Sequence, residues 1–366
     1  MPVEGIAYQA HRKKQRSVCE ASDRIEEVKF ETIPWRTVID VPCFLRNRRD
    51  WILENASVQN RYTGLSRLKL FLALSRTPHG LLDMTTPLYG ALLWLGAFPS
   101  LYISLLGLIT VFAGYTAVYA LNDVIDYRVD KEKARMAGGL RETDNYLDAA
   151  MVRHPMAQGL LSLKEGLVWA LGWSSVAMIG AWLLNPVCVL IFLAGCMLEI
   201  IYCLMHRVSP FRILISGGVK TSGAVAAVFA VDPEPSLTYV IVLFIWLFFW
   251  EIGGQNIPAD WADIEEDRRL RAQTVPVRFG LEGAAFIVVC AIVLSLLVQP
   301  ILICFSKIGF QPISMALSFL LGAGLLLPPA LQLFRNRQRT HAMALFNRAS
   351  YYPLVMLVVF IANYLV

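Results

Sequence analysis

Apolar windows of about twenty residues recur along the chain and are separated by short polar breaks. A helix needs that length to cross a hydrocarbon core roughly 30 Å thick. Nine windows are predicted to be transmembrane helices: residues 79–98, 100–121, 165–185, 187–205, 213–231, 236–256, 281–304, 312–334 and 350–366. The pattern therefore predicts an all-α, polytopic membrane bundle of about nine helices, with residues 66–366 forming one intramembrane domain.

Composition supports this class of protein. Of 366 residues, 56% are hydrophobic and only 17% are charged, whereas soluble domains carry about 25% charged residues. The net charge of +5 indicates contact with anionic membrane lipid, and no basic stripe interleaved with exposed aromatic residues indicates nucleic acid. The seven cysteines form no CxxC pair, so we interpret them as small buried residues, not as ligands or disulfides.

The distribution of basic residues predicts the orientation of the bundle. Loops rich in Lys and Arg stay on the cytoplasmic side of a membrane. Nine crossings with a cytoplasmic N terminus place 31 of the 33 Lys and Arg residues on that side. The sequence therefore predicts a cytoplasmic N terminus and a C terminus on the opposite side.

The first 65 residues read as a polar, cytoplasmic N-terminal extension. They lack the apolar core of a secretory signal peptide. The stretch DVPCFLRNRRDWIL, residues 40–53, carries apolar side chains that could lie in the membrane surface. An interfacial helix is therefore predicted within this extension.

Two clusters of carboxylates follow apolar windows on the predicted cytoplasmic side. In YALNDVIDYRVDKEK, Asn122, Asp126 and Asp130 are spaced four residues apart, with Asp123 beside them. That spacing places oxygen side chains along one ridge of a helix. In PADWADIEEDRRLRAQT, Asp260, Asp263 and Asp267 are spaced three and four residues apart, again near one helical face.

Carboxylates this close together repel one another and need a compensating cation. Oxygen ligands favour a hard ion, and Mg²⁺ commonly binds through one or two carboxylates together with substrate phosphate oxygens. Two acidic faces therefore predict two Mg²⁺ sites. Basic side chains beside the clusters suit phosphate oxygens, and the candidates are Lys131, Lys133, Arg135, Arg153, Arg268, Arg269 and Arg271. Metal ions and cations around a diphosphate make it a good leaving group.

At these residues the chain resembles the UbiA family of intramembrane prenyltransferases. The first family signature, N-D-x-x-D-x-x-x-D, is complete as Asn122, Asp123, Asp126 and Asp130. The second, D-x-x-D-x-x-x-D, is present as Asp260, Asp263 and Asp267 and is followed by TVPVRFG, residues 274–280. The resemblance covers residues 66–366 and implies a nine-helix bundle that holds a prenyl diphosphate through Mg²⁺ between the two motifs.

Weaker matches extend the resemblance to other residues. Arg76 stands where the family has a basic residue before Pro on the first helix, and Tyr202 and Arg207 match the end of the fourth helix. Arg153 resembles the Arg of the family's R-P-L-x-S-G stretch, but it lies one residue early, and His154 directly precedes Pro155. The resemblance assigns Arg207 to the diphosphate and Arg76 and Tyr202 to the acceptor or prenyl pocket.

Four of the ionisable residues inside the apolar windows are candidates for the site, since a charge there is costly unless it is paired or faces a polar cavity. Asp83 and Glu199 are candidates for the acceptor pocket, Glu251 is a candidate catalytic residue with Asp126 and Asp263, and Lys220 is a candidate diphosphate ligand. For Asp83 and Glu199, a protonated carboxyl or one bonded to a neighbouring helix is an equally good interpretation. For Lys220, a side chain that extends to the membrane surface is equally good.

The resulting hypothesis is Mg²⁺-dependent transfer of a prenyl group from a polyprenyl diphosphate to a hydrophobic, aromatic or lipid acceptor. An alternative with the same site is cyclisation of a farnesyl or geranylgeranyl diphosphate to a terpene without an acceptor. The long segment after Asp130 and the acidic residues in the first and fourth windows favour that alternative. An ion transporter is a third reading, but it predicts carboxylates near mid-span, whereas both clusters lie at the ends of windows.

Overall fold

The computed structural model describes residues 65–136 and 151–365, and this part of the chain is α-helical without strands. We number the helices in chain order: α1 Leu65–Leu74, α2 Thr77–Asp83, α3 Thr85–Leu95, α4 Leu101–Ile125, α5 Tyr127–Met136, α6 Leu163–Leu184, α7 Pro186–Leu204, α8 Arg212–Val231, α9 Leu237–Trp250, α10 Ile257–Ala262, α11 Ile264–Arg269, α12 Val275–Cys304, α13 Pro312–Asn336 and α14 Arg339–Leu365. A 3₁₀ turn, Met205–Arg207, follows α7, and a π-helical segment, Glu251–Asn256, joins α9 to α10.

Eight helical segments of the described residues are long and apolar enough to cross a membrane. They contain eight of the nine predicted windows, and the prediction of an all-α polytopic bundle is confirmed. Many large apolar side chains on the outer surface are exposed, such as Leu101, Trp182 and Ile313, as expected of helices that face lipid chains. The chain is an integral membrane protein.

The remaining window, 79–98, is a helix broken into α2 and α3. Pro87 lies in the first turn of α3 and has no N–H to donate to the carbonyl of Asp83. The Asp83 carbonyl instead accepts from the Thr86 hydroxyl at 2.9 Å, and the Thr85 hydroxyl donates to the neighbouring Leu82 O at 2.5 Å. A side chain therefore satisfies the backbone carbonyl that the break leaves free, as is required within a membrane.

Close helix packing holds the bundle around the π-helical segment. A side chain at Gly253 would have its Cβ 2.9 Å from Ala291 Cβ on α12, and one at Gly254 would lie 2.8 Å from Ala349 Cβ on α14. Small residues permit such close approach of helices. The indole of Trp250 donates to Ala349 O at 3.0 Å and so ties α9 to α14. The segment that carries Glu251 is thus held between α12 and α14.

Both acidic motifs lie on interrupted helices, where a continuous helix was predicted. α4 ends at Ile125 and α5 begins at Tyr127, so Asp126 lies between them. α10 ends at Ala262 and α11 begins at Ile264, so Asp263 lies in the second break. Pro258 lies in the first turn of α10. The predicted N-terminal extension and its interfacial helix fall outside the described residues and stay predictions.

Candidate active site

The break at Asp126 divides the first motif between two sets of neighbours. Asn122 faces α7, where its Nδ2 donates to Glu199 Oε1 at 2.5 Å. Asp123 and Asp130 both face His154, whose Nδ1 lies 3.2 Å from Asp123 Oδ1 and 3.0 Å from Asp130 Oδ2. The single ridge expected for Asn122, Asp126 and Asp130 is replaced by two groups, because the backbone at Asp126 (φ −80°, ψ 1°) departs from regular helical geometry.

Arg76 and Glu199 together orient the Asn122 amide. Arg76 Nη2 donates to Asn122 Oδ1 at 3.1 Å and to Asp123 Oδ1 at 3.2 Å. Since Glu199 accepts from the amide nitrogen, the amide oxygen is the atom left facing Arg76. Arg76 has a left-handed backbone (φ 44°) at the start of α2, and such strain occurs where the surroundings impose a conformation. The predicted pocket residues Arg76 and Glu199 therefore contact the first motif directly.

The second motif is buried against α8. Arg212 Nη2 donates to Asp260 Oδ1 at 2.7 Å, and both side chains are less than one tenth exposed. Asp267 is 1% exposed, and its Oδ1 lies 3.4 Å from His206 Nε2. Tyr202 lies beneath the Arg212 guanidinium, 4.5 Å from ring centroid to Cζ. The second motif therefore contacts Arg212 from α8 and His206 from the 3₁₀ turn, and Tyr202 from α7 lies against Arg212.

Two short connections bring the acidic motifs together. Lys133, three residues after Asp130, places its Nζ 3.9 Å from Asp263 and 3.3 Å from Asp267. Arg153 donates to Asp263 at 2.5 Å, whereas the next residue, His154, contacts the first motif. Since neighbouring residues of one loop reach both motifs, the motifs face each other across the width of a few side chains.

Neighbouring charges explain the direction in which the pKa of each of three ionisable groups outside the membrane spans is shifted. Burial lowers the pKa of His154, but Asp130 and Asp123 outweigh it and raise the pKa to about 9. Burial raises the pKa of Asp130, and His154 and Lys133 reverse this and hold it below its ordinary value. Asp126 has weaker compensation, so burial raises its pKa, with a further increase from Asp130. The site is thus an array of paired charges in which His206, Arg212 and Lys133 only partly offset the effect of burial on Asp126.

A polar network extends from the second motif into the bundle. Ser216 donates to Glu251 Oε1 at 2.7 Å, and Asn256 Nδ2 donates to Ser216 Oγ at 2.9 Å and to Tyr202 at 3.0 Å. These residues converge on the π-helical segment, a geometry that is frequent at functional sites.

Some buried oxygen atoms of this network have no hydrogen-bond donor within the described residues: Glu251 Oε2, Asn256 Oδ1 and Asp260 Oδ2. An unpaired buried acceptor is costly, and a bound cation or a ligand would satisfy it. The carboxylate and amide oxygens of both motifs form the donor set that hard divalent cations prefer. The residues therefore fit a magnesium-type ion.

Five other predicted diphosphate ligands have different surroundings. Arg207 pairs with exposed Glu132 at 2.6 Å, and Lys131 donates to Tyr127 at 3.0 Å. Arg268 and Arg271 are exposed. Lys220 lies deeper in the bundle, where its Nζ donates to Asp83 Oδ2 at 2.5 Å and to the Tyr119 hydroxyl at 2.9 Å. The structure does not bring these side chains into contact with the acidic motifs.

His206 and Arg212 contact the second motif but were absent from the predicted phosphate-binding residues. Lys133, a candidate beside the first cluster, also contacts the second motif. Arg212 begins an apolar helix and is 5% exposed, so a basic residue directly before a predicted span was an available signal. No local pattern distinguishes His206, because its partner Asp267 lies about sixty residues later in the chain.

Together, the fold and the site define an integral membrane protein with two facing acidic motifs at the ends of its helices. The profile of the UbiA prenyltransferase family matches residues 84–355. A digeranylgeranylglyceryl phosphate synthase from Methanosarcina barkeri is 26% identical over 263 residues, which cover 71% of this chain and 82% of that protein. A protein of the same name from Thermococcus sibiricus is 24% identical over 218 residues, covering 60% and 71%.

Solved structures share the fold. The apo UbiA homologue from Aeropyrum pernix K1 superposes with a TM-score of 0.63 at 20% identity, over 78% of this chain and 98% of that one. A UbiA homologue from Archaeoglobus fulgidus bound to GPP and Mg²⁺ superposes with a TM-score of 0.57 at 15% identity, over 79% and 99%. The chain belongs to the UbiA prenyltransferase family, which confirms the resemblance inferred from the motifs.

Proposed function

We propose that this protein transfers a prenyl group from a polyprenyl diphosphate to a hydrophobic acceptor within the membrane, with Mg²⁺ as cofactor. The observation that carries the proposal is the convergence of both acidic motifs on adjacent residues of one loop, Arg153 and His154. A diphosphate between the motifs would contact cations and metal ions on two sides. The binding of GPP and Mg²⁺ by the Archaeoglobus fulgidus homologue supports this assignment.

The acidic residues are the proposed metal ligands. Asn122, Asp126 and Asp130, with Asp123 beside them, would hold one Mg²⁺, and Asp260, Asp263 and Asp267 the other. Bound Mg²⁺ neutralises charge on the diphosphate oxygens and so improves the leaving group. In the structure, Lys133, Arg153 and Arg212 neutralise the second motif. These three cations are the nearest side chains that could turn to the departing diphosphate when metal binds.

The proposed reaction begins when the C–O bond of the prenyl diphosphate breaks and the electron pair leaves with the diphosphate. The acceptor then forms a bond to the allylic cation and loses a proton. Glu251 is the proposed proton acceptor, because its buried Oε2 has no hydrogen-bond donor within the described residues while Ser216 holds Oε1. The surrounding apolar helices exclude water, which would otherwise capture the cation.

Prenyl transfer requires an acceptor molecule, whereas cyclisation does not. The two acidic residues that favoured a cyclase are partnered in the structure, Asp83 with Lys220 and Glu199 with Asn122, so they no longer favour it. An aromatic acceptor remains our proposal from the sequence, and the names of the archaeal relatives suggest a glyceryl phosphate lipid as the alternative.

Product analysis tests this proposal. The purified protein with Mg²⁺ and geranylgeranyl diphosphate should release diphosphate only when an acceptor is added, because the cation needs a nucleophile. Mass spectrometry after incubation with phenolic acids and with glyceryl phosphate lipids identifies the acceptor class. Release of a terpene hydrocarbon without any acceptor would replace transfer by cyclisation. Absence of turnover with every diphosphate and acceptor would contradict both.

The proposed orientation places the N terminus and the active site on the cytoplasmic side and the C terminus on the opposite side. This orientation requires that the broken helix α2–α3 crosses the membrane as the ninth span. In a bacterial host, a GFP fusion at the N terminus should fluoresce, whereas a C-terminal alkaline phosphatase fusion should be active. Termini on the same side would show that α2–α3 does not cross.

A further inference from the structure

His79, on α2, lies in a buried group of polar side chains that is separate from both acidic motifs. Its Nε2 lies 3.5 Å from Lys220 Nζ and 3.6 Å from Asp83 Oδ2. Its ring stacks on Phe346 of α14, with 5.2 Å between the ring centroids. The imidazole is therefore held on one edge by charged groups and on one face by an aromatic ring.

The other nitrogen of this ring is left without a partner in the described part of the chain. His79 Nδ1 is buried and makes no hydrogen bond to any of the described residues. An ammonium group can only donate, so Nε2 accepts from Lys220 and the neutral ring carries its proton on Nδ1. A buried N–H without an acceptor is costly, and an oxygen atom of a ligand would satisfy it. The Nδ1 edge of His79 thus points to a ligand.

Two helices place this ring near Glu251. On α8, Ser216 donates to Glu251, and Lys220, one turn further along the same face, contacts His79. On α14, Phe346 stacks on His79, and the next turn of the helix packs against the π-helical segment that begins at Glu251. The partners of the two side chains are thus about one helical turn apart, and Lys220 is close enough to Glu251 to interact with its charge.

The same face of α8 relates this position to the second motif. Arg212, Ser216 and Lys220 are spaced four residues apart, and Arg212 pairs with the second motif at the start of the helix. With a rise of about 1.5 Å per residue, Ser216 lies about 6 Å and Lys220 about 12 Å further into the bundle. A molecule between His79 and Glu251 would therefore lie below a diphosphate held at the motifs, where an acceptor must meet the allylic carbon.

The groups around this position suit an uncharged hydroxyl group on an aromatic ring. A hydroxyl oxygen could accept from His79 Nδ1 while the hydroxyl donates to Glu251 Oε2, which has no donor within the described residues. Asp83 and Glu251 place two carboxylates here against one ammonium group, from Lys220, so a phosphate would be repelled. The Tyr119 ring, 6.0 Å from that of His79, adds an aromatic surface against which an arene can pack.

We propose that His79 is a specificity-determining residue, and that its Nδ1–H and Glu251 Oε2 bind the hydroxyl group of an uncharged aromatic acceptor. The proposal rests on the proposed function, because it assumes an acceptor beside the diphosphate. It deepens that function by naming the acceptor class: a hydroxylated arene, in preference to a glyceryl phosphate lipid.

Equilibrium binding of naphthol and of methylnaphthalene to the full-length protein in detergent tests this assignment. The two probes differ only in the hydroxyl group, so the wild-type protein should bind naphthol about tenfold more tightly. His79→Gln keeps a polar group near the Nε2 position but loses the Nδ1 donor. It should lower the affinity for naphthol about tenfold and leave that for methylnaphthalene unchanged. His79→Asn keeps an N–H near the Nδ1 position and should retain the preference for naphthol.

The matched control is His341→Gln, because His341 hydrogen-bonds to Asn336, and it should leave both affinities unchanged. A purely structural role of His79 would lower the affinities for both probes alike, and that result would overturn the inference. So would equal binding of the two probes by the wild-type protein, or an unchanged naphthol affinity in His79→Gln. If His79→Gln does not fold, His79→Phe removes the same donor and keeps a ring against Phe346.

Two further outcomes separate this inference from the proposed function. Displacement of naphthol by a lower concentration of geranylgeranylglyceryl phosphate would overturn the aromatic class of acceptor. No diphosphate is present in the binding assay, so it is independent of turnover. Binding of naphthol that depends on His79, without turnover of any diphosphate, would contradict the proposed function alone. Turnover with unchanged naphthol affinity in His79→Gln would contradict this inference alone.

Discussion

Replacing Asp267 by Asn should weaken Mg²⁺-dependent binding of geranyl diphosphate about 100-fold, equivalent to about 2.7 kcal/mol. Asp267 is 1% exposed, and its Oδ1 lies 3.3 Å from Lys133 Nζ and 3.4 Å from His206 Nε2. The substitution keeps the shape of the side chain and removes one negative charge where the second metal is proposed. Isothermal titration of geranyl diphosphate in the presence of Mg²⁺ measures the loss.

The matched control for this change is Asp232→Asn. Asp232 accepts from the Trp94 indole at 2.9 Å and from Lys307 at 3.4 Å, and it belongs to the break after α8, which the basic residues assign to the opposite membrane surface. Its substitution should leave geranyl diphosphate binding within about twofold, since it contacts neither motif. Equal affinity of the Asp267→Asn and wild-type proteins would remove Asp267 from the proposed metal ligands.

The second large effect is expected on stability. Lys220→Met should destabilise the protein by about 3–5 kcal/mol, because it leaves Asp83 buried without its cation. Asp83 is 1% exposed and accepts from Lys220 Nζ at 2.5 Å, with the Tyr119 hydroxyl as a further donor. The apparent melting temperature should fall by roughly 10 °C. Size-exclusion chromatography of detergent-solubilised protein after heating measures this shift.

The double variant Lys220→Met/Asp83→Leu separates lost pairing from lost packing. Removing both charges leaves no unpaired ion in the bundle, so the double variant should recover most of the melting temperature. A double variant as unstable as Lys220→Met would show that the ion pair is not what stabilises this region. An unchanged Lys220→Met protein would show that the Asp83 carboxyl is satisfied without the lysine.

The fold and the family were predictable from short stretches of sequence. Each transmembrane helix requires a run of apolar residues, and this property belongs to the segment itself. The two acidic motifs were visible for the same reason, since each lies within nine residues. The local interruption at Asp126 was not visible, because the spacing of Asn122, Asp126 and Asp130 suits a continuous helix equally well.

Partners distant in sequence could not be predicted. Lys220 was interpreted as a diphosphate ligand or as a side chain that extends to the membrane surface. Only the packing of α8 against α2 and α4 places it beside Asp83 and Tyr119. The same holds for Arg212 with Asp260, and for His154 with Asp123 and Asp130. In each pair the two residues lie on helices or loops that are far apart in the sequence. No local pattern therefore indicates that they meet.

By itself, the sequence determined that this chain is a helical membrane protein with two acidic motifs, because hydropathy and motif spacing are local properties of the chain. Only the tertiary structure decided which cations neutralise which carboxylates and that the two motifs face each other. The physical reason is that a charge inside a bundle is stabilised by whichever neighbour the helix packing brings within about 4 Å.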